Sequence, residues 1–284
     1  MEKETIVLYN HYNYGDIHLS RMVIKGLSEK FKIKFYHKLN HGLFEDIPEV
    51  EEHSLDNLKN FNLSRSDLNN KIVNTWIGQH GFIYLNSSKC KGCCMVTYSL
   101  FLRDVFNFYK IPMKDTEYYL PSINYEKLSD FESISSLFKN TVKGYEKVIF
   151  ISNGDVQSKQ SLNFDFAPII RNLSSRFPNY IFLITNDIDN KSSNVIYTGN
   201  ITNRKQDLLY LSYFSTLSNV IIGRSSGPYT FSLVKENLLD ENKTLIGFTN
   251  IESESYFYEN KKCKFLWSNN YDINNIENII TSNI

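Results

Sequence analysis

The chain has 284 residues and a net charge of zero, because 31 basic side chains balance 31 acidic ones. A hydrophobic content of 42% can bury the core of one large domain or two ordinary ones, which excludes a peptide-sized module and a disordered tail. The neutral charge gives no electrostatic reason to expect a nucleic-acid partner.

The first half of the chain alternates between apolar strands and helices that carry an apolar stripe. This strand, helix, strand alternation is typical of a parallel sheet. A polar, acidic stretch over residues 45–70 is expected to hold a short helix or a loop. The predicted elements are strands at Thr5–Asn10, Ile33–Tyr36 and Lys71–Ile77, and helices at Ile17–Phe31 and Val96–Tyr109.

A linker is predicted over Ile111–Asn124, where Pro112 and Pro121 fall in a stretch without clear periodicity. A helix over Tyr125–Val142 follows, and the alternation of strands and helices then resumes. The predicted strands are Val148–Ile151, Tyr180–Thr185, Val195–Tyr197, Val220–Ile222 and, as the last, Thr244–Phe248; the helices are 166–177, Asp207–Leu217 and Asp272–Ile284.

These elements predict an α/β protein with two Rossmann-like domains that face a cleft, in which a ligand would bind. The expected divisions are an N-terminal domain over 1–115, a linker and helix over 116–145, a C-terminal domain over 146–270 and a C-terminal helix over 271–284. One long doubly wound sheet is the alternative that the loop signals leave open.

Two strands of the second half are each predicted to run through a glycine-containing turn into a helix. One ends in Ser152, Asn153 and Gly154, and the other leads into the run from Arg224 to Pro228. Turns at the carboxyl ends of parallel strands offer free amides to phosphate groups. Lys159 could neutralise such a phosphate, or it is simply an exposed loop lysine.

The loop between the first strand and the first helix reads His11-Tyr-Asn-Tyr-Gly-Asp16. Asp16 is placed to cap the helix, and a carboxylate at a strand end that faces a cleft could also act as a general base. Both interpretations stay open, and His11 and His18 are the next candidates for a base. All six histidines lie in the first 80 residues, which favours titratable chemistry there, although a chance distribution on the surface explains it equally.

Four cysteines are too few and too clustered for a secreted disulfide framework. Cys90, Cys93 and Cys94 form a CKGCC knuckle, which only Cys263 could complete to a four-sulfur metal site. Reduced thiols are the favoured interpretation, and no metal is expected.

The motifs of dinucleotide oxidoreductases, P-loop kinases, α/β-hydrolases and DxD-type sugar transferases are absent. The segments YNYGDIHLSR, ISNGDVQSKQS, IFLITN, VIYTGN and VIIGRSSGPYTFSL instead resemble the GT-B superfamily of glycosyltransferases, and within it family 9, the heptosyltransferase-like enzymes. The resemblance covers most of the second half but only about the first 25 residues of the first half. The family usually has an Ala- or His-rich helix after its S/T-G-P turn, whereas this turn leads into Tyr229, Thr230 and Phe231.

The resemblance implies that Asp16 is the catalytic base and that no divalent metal is needed. Carried over by position, it assigns the nucleotide-sugar donor to Ser152, Asn153, Gly154, Lys159, Ser225, Ser226, Gly227, Pro228 and Tyr229. The expected donor site also includes Asn186, Gly199 and Arg224, the last because its guanidinium converges with hydroxyls and free amides at a helix start. The NYGD opening is also similar to polysaccharide pyruvyl transferases, which are the alternative enzyme. A non-catalytic relative that binds a nucleotide or a glycan is the alternative from another class.

The expected function is therefore transfer of a sugar from a nucleotide-sugar to a hydroxyl of a glycan or protein acceptor, with no bound cofactor. The sequence shows no signal-peptide pattern at its start and no apolar stretch near roughly 18 residues, so a cytoplasmic location is expected. A peripheral contact at the inner face of the membrane, the sugar, the base and the oligomeric state stay open.

Overall fold

A computed structural model describes the main part of the chain in two compact units, which divide between Asn124 and Tyr125. Lys261–Ile284 belongs to the second unit. The described residues are 3–39, 42–58, 66–76, 95–189, 192–203, 207–250 and 261–284, with the main chain alone at 95–101 and 116.

The first unit is built on a parallel four-stranded sheet in the order β3-β2-β1-β4. β1 lies inside the sheet, and its side chains Ile6, Leu8 and Tyr9 are fully buried. The strands are β1 (Glu4–Asn10), β2 (Phe31–His37), β3 (Val50–Ser54) and β4 (Ile72–Asn74), and the helices are α1 (Tyr14–Leu19), α2 (Arg21–Leu27), α3 (Met95–Tyr109) and α4 (Thr116–Tyr119). A short 3-10 helix spans Leu55–Asn57.

The second unit contains a parallel six-stranded sheet in the order β10-β9-β8-β5-β6-β7. Its strands are β5 (Lys147–Ser152), β6 (Tyr180–Ile184), β7 (Val195–Tyr197), β8 (Val220–Arg224), β9 (Thr244–Phe248) and β10 (Lys264–Ser268). Its helices are α5 (Phe131–Val142), α6 (Ala167–Arg176), α7 (Gly199–Thr202), α8 (Leu208–Thr216), α9 (Gly227–Thr230), α10 (Lys235–Leu238) and α11 (Ile273–Thr281), with a 3-10 helix at Tyr125–Lys127.

One core cluster of the second unit lies where α6 and α11 pack against the strands of this sheet. Ile169, Ile170 and Leu173 of α6 and Ile276 and Ile280 of α11 are all buried in one cluster with the strands. The spacing of these residues is the apolar stripe that the sequence predicts. The predicted α/β class with parallel sheets is confirmed; the predicted cleft concerns how the two units are arranged and stays a prediction.

Several predicted bounds are wrong. Val50–Ser54 is a strand within the stretch expected to hold a short helix or a loop, and Lys264–Ser268 is a strand beyond the one predicted as the last. The helix expected over Ile17–Phe31 is two short helices. Phe31 begins β2 instead of ending a helix. The helix breaks at Ser20, whose hydroxyl donates to the carbonyl of Asp16 at 2.9 Å.

Two further sequence expectations concern cysteines and membranes. Cys90, Cys93 and Cys94 lie outside the described residues, and Cys263 is buried, with its thiol pKa raised to about 11 by burial. Within the described ranges, no helix combines the length and hydropathy required to cross a membrane.

Candidate functional site

The carboxyl ends of β5 and β8 form the most suitable binding edge of the second unit. β5 pairs with β8 on one side and with β6 on the other. The chain passes from β5 to β6 and β7 in one direction, then returns to β8, β9 and β10 in the other. This reversal of strand order is the position at which open parallel sheets bind ligands.

Asn153 fixes the turn that follows β5. Its Nδ2 donates to the carbonyl of Asn186 at 2.8 Å, and its Oδ1 accepts from the main-chain N of Asn186 at 2.8 Å and from Oγ1 of Thr185 at 3.2 Å. A Cβ added at Gly154 would lie 2.9 Å from Oδ1 of Asn186. Any residue larger than glycine would crowd Asn186 at this position. The hydrogen bonds of Asn153 to Thr185 and Asn186, which follow β6, fix the conformation of the turn.

Arg224 at the end of β8 is a buried cation, with 2% of its surface exposed. Its Nη2 donates to the carbonyl of Asn153 at 2.6 Å, and its Nη1 donates to the carbonyl of Phe164 at 2.8 Å. The guanidinium also lies 5.3 Å from the ring centre of Phe164 and 5.2 Å from that of Phe166. Burial lowers its pKa, which the carboxylate of Asp155 partly opposes.

These contacts give Arg224 a positioning role in the structure. Each Nη carries two N–H groups and donates one to a carbonyl, so the guanidinium keeps further donors, and Nε has no hydrogen-bond partner among the described residues. The two carbonyl bonds tie the turn after β5 to the loop before α6, so that the cation holds the main chain on which a ligand would rest.

The turn after β8 is held by its own hydroxyls. Ser226 caps α9 by accepting from the main-chain N of Tyr229 at 3.4 Å, and Oγ1 of Thr230 donates to the carbonyl of Ser226 at 2.8 Å. The main-chain N of Ser225 donates to the carbonyl of Phe248 at 2.9 Å, so this turn is joined to β9. Gly227 and Pro228 form the first residues of α9.

Tyr229 points into the core. Its side chain is 1% exposed, and its hydroxyl has no hydrogen-bond partner among the residues that the structure describes. A Cβ added at Gly223 would lie 2.5 Å from Cδ2 of the Tyr229 ring, so the ring packs directly on β8. Burial raises the pKa of its phenol well above the ordinary value. The side chain therefore supports the turn from below.

Lys159 and Gly199 lie on segments other than the turn of Asn153. Residues 153–166 contain no helix, and α6 begins at Ala167, within one residue of the start of the helix predicted over 166–177. Lys159 is exposed on that loop, with a φ of 57° and a carbonyl that accepts from Nδ2 of Asn250 at 3.4 Å. Gly199 begins α7, where an added Cβ would meet the ring of Tyr197.

In the first unit, Asp16 and the two candidate histidines follow β1. The N-cap of α1 is Asn13, so Asp16 lies in the first turn of the helix and is not the cap that the sequence predicts. Its residue is partly exposed, whereas His18 is 1% exposed. His11 is partly buried, and its pKa is lowered mainly by burial and then by the charge of Lys38.

Sequence reasoning missed a polar network beneath this loop. The buried Nδ2 of Asn10 donates to Oγ of Ser20 and to Oγ1 of Thr75, both at 3.2 Å, and those two hydroxyls lie 2.7 Å apart. The signal was a polar residue at the end of each of two apolar strands, in which β1 ends with Asn10 and β4 with Asn74. The network joins the carboxyl ends of neighbouring strands, which is where a site would form.

No family model matches the sequence, and no curated protein matches it. Among solved structures, the chain is similar to a family 9 glycosyl transferase from Veillonella parvula, with a TM-score of 0.54 and 11% identity over 100% of this chain and 91% of that one. It is also similar to the E. coli heptosyltransferase WaaC with ADP, with a TM-score of 0.52 and 7% identity over 99% of this chain and 100% of that one. Identities this low establish the fold alone, and the chain therefore has the α/β fold of these glycosyltransferases.

Proposed function

We propose that this chain is a glycosyltransferase that moves a sugar from a nucleotide-sugar to a hydroxyl of a glycan or protein acceptor, without a divalent metal. In this proposal the second unit binds the donor, and the first unit supplies the general base. The protein would act in the cytoplasm.

The observation that carries the proposal is the edge at the carboxyl ends of β5 and β8. Two turns meet there at the reversal of strand order, one fixed by Asn153 and the other by Ser226. A preformed edge of main-chain amides and hydroxyls can hold a diphosphate without paying to order itself at binding. Ser152 supports this assignment, because its buried hydroxyl has no partner within the described part of the chain.

The similarity in fold to a solved structure also supports nucleotide binding by this chain. The E. coli heptosyltransferase WaaC, which shares this fold, was solved with ADP. A nucleoside diphosphate is therefore the reasonable first probe for the second unit.

Asp16 is our proposed general base. It lies in the first turn of α1, just beyond the carboxyl end of β1, and is partly exposed, so that an acceptor hydroxyl could reach it. His18 is a poorer candidate because its side chain is buried. His11 is the reserve base, since its lowered pKa leaves the imidazole neutral and able to accept a proton at pH 7.

The donor half of the proposal is tested by calorimetric titration and thermal shift with ADP, UDP, GDP and CMP. We expect one of these nucleotides to bind and to raise the melting temperature, because a ligand that binds only the folded state stabilises it. If none of them binds, the proposed function is wrong.

The catalytic half is tested with Asp16→Asn, which keeps the shape of the side chain and removes the base. Nucleotide release from a panel of nucleotide-sugars with methyl glycoside acceptors should fall by about 10²–10⁴-fold, with unchanged nucleotide affinity. Glu4→Gln is the matched control, since Glu4 is an exposed carboxylate at the amino end of β1. Unchanged turnover in Asp16→Asn would remove Asp16 from the mechanism, and nucleotide binding without turnover in the parent would favour a non-catalytic relative.

A further inference from the structure

The same turn follows two neighbouring strands of the first unit. Oδ1 of Asn10, the last residue of β1, accepts from the main-chain N of Tyr12 at 3.0 Å. Oδ1 of Asn74, the last residue of β4, accepts from the main-chain N of Trp76 at 2.8 Å. Both asparagines are fully buried, and both turns are of the side-chain to main-chain kind that asparagine favours. Two matched turns thus place an aromatic residue two positions beyond each strand.

The rings that these turns place are stacked on each other. The ring centres of Tyr12 and Trp76 are 4.1 Å apart, and the planes are inclined by only 9°. His11 meets the Trp76 ring edge-on at 5.0 Å. Tyr12 nevertheless remains 38% exposed, although Trp76 covers one of its faces. The stacked rings of Tyr12 and Trp76 are therefore held in place by the buried asparagines beneath them, while Tyr12 stays partly exposed to solvent.

This stacked pair lies at the reversal of strand order in its own sheet. The chain runs from β1 to β2 and β3 on one side, and β4 lies on the other side of β1. Ligands of parallel sheets bind at this position. Tyr12 belongs to the loop that leads into α1, and that helix contains the proposed base Asp16.

We propose that Tyr12 and Trp76 form a stacking subsite for a neutral sugar ring of the acceptor, an inference that rests on the proposed glycosyl transfer. The apolar C–H face of a pyranose packs on aromatic rings, while its hydroxyls stay solvated at the rim. A phosphate fits this position less well than a neutral sugar, because the two stacked faces are uncharged and the carboxylate of Asp16 lies in the first turn of the helix that follows. The acceptor would accordingly be an uncharged glycan at the reacting residue.

The two tryptophans of the chain make the subsite directly observable. Trp76 lies in the first unit and Trp267 in the second, so Trp267→Phe leaves Trp76 as the single indole. Methyl β-D-galactopyranoside, methyl β-D-glucopyranoside and N-acetylglucosamine serve as probes, because they do not absorb near 280 nm. We expect a saturable change in Trp76 emission with at least one probe, and saturation-transfer NMR should place the contact on the C–H face of the sugar.

Substitutions at Tyr12 separate stacking from other effects. Tyr12→Ala in the same background should weaken the affinity by about tenfold, whereas Tyr12→Phe should retain it, because the ring makes the contact. Phe108→Ala is the matched control, since Phe108 is another exposed aromatic of this unit, at 46% exposure. Circular dichroism and melting of each variant exclude loss of folding as the cause.

The possible failures are distinct. If no probe changes Trp76 emission and none gives a transfer signal, or if Tyr12→Ala binds as well as its parent, the subsite does not exist. If ADP changes Trp76 emission in a Tyr12-dependent way and the glycosides do not, the subsite of Tyr12 and Trp76 stacks a nucleobase, and our assignment to a sugar is overturned. Failure of the proposed function would appear separately, as loss of nucleotide binding to the parent protein.

Discussion

Lys243 provides a test of how burial and hydrogen bonding compete in the second unit. Its side chain is 6% exposed, and Nζ donates to the carbonyls of Ser215 at 3.1 Å, Thr216 at 2.5 Å and Ser218 at 3.0 Å. These carbonyls lie at the carboxyl end of α8, where a cation is favoured by the helix dipole. Burial nevertheless dominates and lowers the pKa from 10.5 to about 8, although Asp240 and Glu236 act to raise it.

The lowered pKa of Lys243 makes the free energy of unfolding depend on pH. Between pH 8 and pH 10.5 the unfolded chain binds more protons at Lys243 than the folded one, so stability rises with pH in this window. The contribution is complete above pH 10.5 and is lost as pH falls through 8. Each pKa unit corresponds to about 1.4 kcal/mol, so the free energy of unfolding should change by about 3 kcal/mol between these limits.

The assay is urea unfolding of the parent and of Lys243→Met from pH 7 to pH 10.5. A Trp76→Phe background leaves Trp267 as the only indole, so that the emission follows the second unit. Comparing two proteins removes groups that titrate in both, and a Cys263→Ala background removes the nearby thiol, whose pKa is about 11. Lys262→Met, which removes an exposed ammonium, is the control.

We expect the stability of the parent relative to Lys243→Met to increase by about 3 kcal/mol across this range. The Lys262→Met control should show no comparable change. A difference that stays constant with pH would mean that the three carbonyls hold the ammonium at its ordinary pKa, and the reasoning from burial would then be wrong.

Two further substitutions test the packing of each unit. Gly223→Ala should destabilise the protein by about 1–3 kcal/mol and weaken nucleotide binding, because the new Cβ would lie 2.5 Å from the Tyr229 ring and 3.0 Å from Cβ of Ser152; urea unfolding and calorimetry measure both. Asp46→Ala should cost about 3–5 kcal/mol in urea unfolding, since it leaves the guanidinium of Arg21, which Asp46 binds at 2.8 Å and 2.9 Å, buried without its partner. Replacing both with Met and Leu should restore most of that loss, and an equal loss in the double variant would contradict the explanation.

The sequence predicts the inner strands of both sheets and misses an edge strand of each. β3 and β10 are at sheet edges, and neither contains a buried residue, whereas all five residues of β8 are buried. An edge strand is held by main-chain pairing to its single neighbour and can keep a mixed, partly exposed sequence. Its side chains therefore carry no period by which it could be recognised.

For the candidate site, the sequence likewise predicts where the turns lie along the chain but not which way their side chains point. The turns at Asn153 and Ser226 do follow β5 and β8, because strand ends are visible as breaks in an apolar run. Whether Arg224 and Tyr229 face a ligand or the core depends on neighbours that are distant in sequence. Tyr229 turns inward because Gly223 leaves space for its ring, and Arg224 because the carbonyls of Asn153 and Phe164 receive it.

Buried asparagine is the common element of the two sheet edges, and its chemistry explains why. At Asn10 and at Asn153 one short side chain both accepts from a main-chain amide and donates to groups beyond its own turn. Asparagine has a donor and an acceptor on one planar group and carries no charge, so it can be buried without the desolvation cost of aspartate. In each unit the amide thus joins adjacent loops at the carboxyl edge of the sheet. The abundance of asparagine in this chain therefore has a structural meaning at these strand ends, which composition alone does not reveal.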